Sequence, residues 1–81
     1  MLLKEVFCRF LLELGFVKSG LLSDGLTEVY VHHDNPVRIK VPTDVKFLPT
    51  VFVSHQIKLL EQYGFGIKEI RRKLAKANSG S

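Results

Sequence analysis

Apolar side chains recur at helical spacing from the start of the chain. Leu3, Phe7, Phe10 and Leu14 form a stripe, Leu2, Val6 and Leu11 widen it, and Lys4, Glu5, Arg9 and Glu13 lie opposite. This pattern predicts a first helix that stops at Gly15. Residues 16–22 then read as a short strand, loosened at Gly20, and Ser23, Asp24 and Gly25 supply turn chemistry. The period next becomes two. Val29, Val31 and His33 alternate with Glu28, Tyr30 and His32, and after Asp34, Asn35 and Pro36 the residues Val37, Ile39 and Val41 alternate with Arg38 and Lys40.

Two strands of one parity set an expectation for the hairpin they form. With Val31 opposite Ile39 and Val29 opposite Val41, all four face the core, and Tyr30 meets Lys40 and His32 meets Arg38 outside. Pro42 has no amide hydrogen to extend the ladder, so this strand is expected to end at Val41. A long loop through Pro49 leads to a second helix over residues 50–63, with Val53, Ile57 and Leu60 inward and Gly64 as its stop. A short third helix carries Ile67, Ile70 and Leu74 on one side and Lys68, Arg71, Arg72, Lys73 and Lys76 on the others. Residues 1–77 read as one domain and 78–81 as a flexible tail without an apolar anchor. The order predicts an α+β fold, α-β-β-β-α(-α), whose three-stranded antiparallel sheet has its helices packed on one face. That is the plan of a double-stranded-RNA-binding domain.

Length and composition narrow the class. Eighty-one residues hold one small core and no multi-cofactor enzyme. The single cysteine, Cys8, excludes an internal disulfide and a cysteine-built zinc fold, and points to a reducing, cytoplasmic setting. No apolar run is long enough for a membrane span or a signal peptide. The formal charge of +4 divides unevenly, into −2 over residues 1–36 and +6 over residues 37–81. A basic C-terminal half suits a polyanion such as RNA.

Several short pieces together resemble the HicA toxin family. Leu11, Leu12, Glu13, Leu14, Gly15 and Phe16 are similar to that family's first helix ending in glycine and an aromatic. Tyr30-x-His32 leading to Val41 and Pro42 resembles its aromatic-x-His second strand and Val-Pro exit, and Gly64 followed by Phe65, Gly66 and Ile67 resembles its second helix exit. The resemblance implies a messenger-RNA endoribonuclease of a toxin–antitoxin pair, neutralised by a HicB-type partner. The family's signature entering the second strand is Gly-Ser-His-His, with the first His essential. Here Gly25, Leu26, Thr27 and Glu28 occupy that stretch, so Thr27 stands where the catalytic His is expected. A threonine cannot shuttle a proton near neutral pH, so the expectation is an RNA-binding protein with weak or lost cleavage.

The remaining candidates are weighed by position. Tyr30, Arg38 and Lys40 are expected to form an aromatic-basic RNA patch on the uncovered sheet face, beside Glu28. His32 is the displaced catalyst of an alternative, active mRNA interferase, but His33, adjacent on a strand, points to the opposite face and cannot join it without a bulge. His55 reads as solvent-facing, no metal or cofactor is implied, Cys8 reads as a core-edge residue, and the third helix reads mainly as a solvated face. The other alternative is a protein-interaction module without RNA binding, its outer strand completed by a partner strand or by a second copy in a homodimer.

Overall fold

The computed structural model describes residues 1–79. The chain runs β1 (Leu2–Leu3), α1 (Lys4–Glu13), β2 (Phe16–Leu21), β3 (Thr27–His32), β4 (Asn35–Pro42), β5 (Phe47–Leu48), α2 (Thr50–Gln62) and α3 (Ile67–Ser79). β2, β3 and β4 form an antiparallel sheet in that order, and β1 pairs with β5 in a separate two-stranded ladder. This is the expected α+β architecture with one addition. Leu2 and Leu3, read from periodicity as the first turn of a helix, are extended and oppose Leu48 and Phe47. The Lys4 N–H, which has no partner inside the helix, is satisfied by the Lys46 carbonyl at 2.9 Å.

α1 supplies the centre of the core. Val6, Phe7, Phe10, Leu11 and Leu14 are all buried, and they meet Phe16, Ile39, Val41, Leu48, Leu60 and Ile70 in one cluster. α3 packs along α1 on the helix side, fastened at its far end by a Lys76–Glu13 ion pair of 3.0 Å. Ala77 is buried there, which gives the last turn the anchor that the sequence did not reveal. Residues 78 and 79 accordingly continue α3 and are not part of a tail; residues 80 and 81 lie outside the described residues. Among the described residues no helix is long and apolar enough to cross a membrane.

The register of β3 against β4 overturns the sequence expectation. Val31 opposes Arg38, Tyr30 opposes Ile39, Val29 opposes Lys40 and Glu28 opposes Val41. The side chains of β3 are therefore inverted: Glu28, Tyr30 and His32 share the face of Val37, Ile39 and Val41, and Val29 and Val31 share the face of Arg38 and Lys40. The pairing closes at His32 opposite Asn35 around a two-residue turn, and Pro36 and Val37 are accommodated as an irregularity. The Asn35 carboxamide oxygen accepts the Val37 N–H at 3.0 Å, so the bulged segment loses little hydrogen bonding.

Candidate functional site

Turning Glu28 inward requires compensation, because an unpaired buried carboxylate costs several kcal/mol, roughly. The compensation comes from two distant lysines. Glu28 accepts Lys4 Nζ at 3.1 Å and Lys18 Nζ at 3.3 Å, and Lys4 also donates to the Thr43 carbonyl at 2.7 Å. Burial pushes the Glu28 carboxyl up, but the bonds and charges of Lys4 and Lys18 outweigh it and hold the group below its ordinary value of 4.5. Tyr30, 5% exposed, donates its hydroxyl to the same carboxylate at 3.4 Å. Burial, the neighbouring Cys8 thiol and the Glu28 charge all raise the phenol above its ordinary 10.0. Tyr30 is thus removed from the RNA patch it was expected to form with Arg38 and Lys40: it lies on the other side of the sheet, where its ring is worth more as core.

His32 is built into the same inner face. Gly15 ends α1 at φ +99°, and a Cβ there would stand 2.9 Å from His32 Nε2. The glycine therefore both stops the helix and leaves room for the imidazole. Nε2–H donates to the Leu14 carbonyl at 3.1 Å and Nδ1 accepts the Asp34 N–H at 3.1 Å. Edge contacts with Phe16 (5.1 Å between centroids) and Phe65 (5.4 Å) complete the seat. With both nitrogens engaged by backbone, the ring has neither a proton nor a lone pair directed at a substrate. His33 lies in the turn and not on the strand, so its ring stacks on His32 at 4.9 Å, contrary to the strand-parity expectation, and its Nε2 pairs with Asp34 at 3.0 Å in solvent. His32 and Arg38 also share a shallow hollow of ≈ 400 Å³ with Val31, Asn35, Pro36 and Val37. His55 is exposed on α2, and no group of three metal-ligating side chains occurs among the described residues.

Thr27 begins β3 opposite Pro42, and its carbonyl accepts the Leu22 N–H at 2.9 Å. No histidine takes its place there, since His32 closes the other end of the strand.

Eight of the twelve lysines and arginines fall into two groups. Lys4, Lys18 and Lys76 are engaged by Glu28 and Glu13, and the bond and charge of Lys76 hold the Glu13 carboxyl below its ordinary value. Arg38, Lys40, Lys68, Arg71 and Arg72 are exposed and have no ionic partner among the described residues. Arg38 and Lys40 stand on the outer sheet face. Lys68, Arg71 and Arg72 are neighbours at i, i+3 and i+4 on α3, turned away from the buried Ile70 and Ala77. From sequence α3 is expected to be mainly a solvated face; the pairing of Glu13 on α1 with Lys76 depends on how the two helices pack and is not visible in the pattern of residues.

Comparison with family models, curated proteins and solved structures finds no match to this chain.

Proposed function

We propose that this chain is a divergent HicA-like RNA-binding domain with weak or lost mRNA cleavage, acting in the cytoplasm beside a HicB-type partner. The observation that carries RNA binding is the row of Lys68, Arg71 and Arg72 on α3, three exposed cations with no ionic partner among the described residues. Phosphates neutralise such a row without base-specific contacts, so binding is salt-dependent and tolerant of sequence. The inward turn of Tyr30 shifts the preferred contact from Arg38 and Lys40, which lose their stacking partner, to α3. Loss of cleavage is supported by Thr27 at the expected histidine position and by the two backbone bonds that occupy His32. The family reading gains support from the Gly15–His32 contact, which makes one structural unit of two sequence pieces that carry the resemblance.

Titration of a labelled structured RNA at several salt concentrations tests this. Reversing Lys68 and Arg71 to Glu should weaken binding by about tenfold or more and flatten the salt dependence by roughly two phosphate contacts. Reversing Arg38 and Lys40 should cost much less. No binding by the parent protein at low salt would remove the RNA reading. Cleavage of the labelled strand, abolished by His32→Ala, would establish the interferase instead.

A further inference from the structure

The outer sheet face has no covering element, and its pattern can be read row by row. Val17, Val31 and Arg38 form one row across β2, β3 and β4; Gly20, Val29 and Lys40 form the next; Leu22, Thr27 and Pro42 form the third. Val17 is 57% exposed and Leu22 39%, and none of the nine positions is a carboxylate or an aromatic. An apolar floor therefore runs along β2 and β3, with two cations without ionic partners along β4.

We propose that this face docks an amphipathic helix of a partner protein, its apolar stripe on Val17, Val29 and Val31 and its carboxylates over Arg38 and Lys40. Dimensions favour a helix. Three strands span about 10 Å, the diameter of one helix, and the three rows extend about 14 Å, or two and a half helical turns. The sheet edges disfavour an added strand. The Thr43 N–H bonded to the Leu26 carbonyl fixes the phase of the ladder, so in β4 residues 39 and 41 turn their amides to β3 and residues 36, 38, 40 and 42 turn outward. Pro36 and Pro42 have no N–H to offer, which leaves two donors on that edge. The β2 edge is interrupted by the register shift between Lys18 and Gly20. A second copy is also a poor occupant, because its identical face brings more cations and no carboxylate. With no aromatic on the face, unpaired bases have nothing to stack on. This proposal stands apart from RNA binding at α3, which lies on the helix side.

The test uses a designed helical peptide of about 18 residues, leucines on one stripe and glutamates along one flank, against the same peptide with lysines on that flank. Amide shifts of the full chain are followed by NMR. The glutamate peptide should bind saturably and move Val17, Val29 and Val31, and the lysine peptide should bind about tenfold more weakly or worse. Arg38→Glu with Lys40→Glu should reverse the preference. Val17→Thr with Val31→Thr should abolish binding at unchanged melting temperature, and Lys68→Glu with Arg71→Glu should change nothing. Equal binding of the two peptides, no binding, or shifts on the helix side would overturn the proposal. So would movement of the same valines with protein concentration alone, which marks a second copy, or with RNA.

Discussion

The two faces of the central sheet are made from the same three strands, yet they solve opposite problems. The inner face carries the polar and aromatic members of β3, Glu28, Tyr30 and His32; Glu28 and the His32 Nε2 find partners far away in sequence, and the Tyr30 hydroxyl bonds Glu28 itself. The outer face carries the β-branched members, Val29 and Val31, and leaves them half covered beside exposed cations. Hydrophobicity alone would assign these faces the other way. What decides the contest is that two lysines, one phenol and one helix-ending glycine fit around the inner set, after which the valines cost little in the open.

The sharpest way to break this comparison is a carboxylate placed on each face. Ile39→Asp puts an unpaired charge at a fully buried site and should cost about 4 kcal/mol or more, enough to unfold a domain of this size. Val31→Asp, on the outer face beside Arg38, should change stability by less than about 1 kcal/mol. Denaturant midpoints of the two variants decide the register, and the reverse ranking would restore Val31 to the core.

Gly15→Ala comes next in size. Its φ of +99° and the 2.9 Å approach of His32 Nε2 together should cost about 2–3 kcal/mol, or a fall in Tm of roughly 10 °C or more. In a His32→Ala background the same change should cost less, since only the backbone strain remains. A double-mutant cycle measures that coupling.

The smallest effect is the most selective. Glu28 titrates lower in the folded chain than its ordinary 4.5, so its contribution is present above that pH and is lost as pH falls through the folded value. Glu28→Gln should cost roughly 1–3 kcal/mol at neutral pH and flatten the acid limb of the stability profile. Tyr30 has the opposite sign: its phenol is raised, so stability is lost as pH rises past 10.0, and Tyr30→Phe should flatten the alkaline limb. Urea melts across pH check both limbs.

Against these contrasts, the parts of the molecule legible in the sequence are those governed by local rules. The stripe of Phe7, Phe10 and Leu14, the stop at Gly15 and the start of α2 after Pro49 follow from periodicity and capping, and all three appear where they were expected. The β3 register was not legible because both parities of residues 28–32 carry large side chains, and alternation does not say which set is inside. The deciding groups, Lys4 and Lys18, lie 24 and 10 positions from Glu28. The loss of Tyr30 from the expected RNA patch follows from that one inversion. The stacking of His33 on His32 was hidden for a different reason, since it depends on a turn two residues long.

The Lys76–Glu13 fastening has a consequence for how the chain reaches its native state. β2, β3 and β4 pair with immediate neighbours, so this meander closes short loops and can form early. α1 and α3 meet only across more than fifty positions, sixty-three for the Lys76–Glu13 pair, and β1 waits for β5 across more than forty. Ile70 and Ala77 are buried in the finished core, so a chain emerging from the ribosome keeps apolar surface of its first helix uncovered until its last turns have been made. The apolar face of α1 is thus enclosed only when α3 docks, and until then it is open to misassociation.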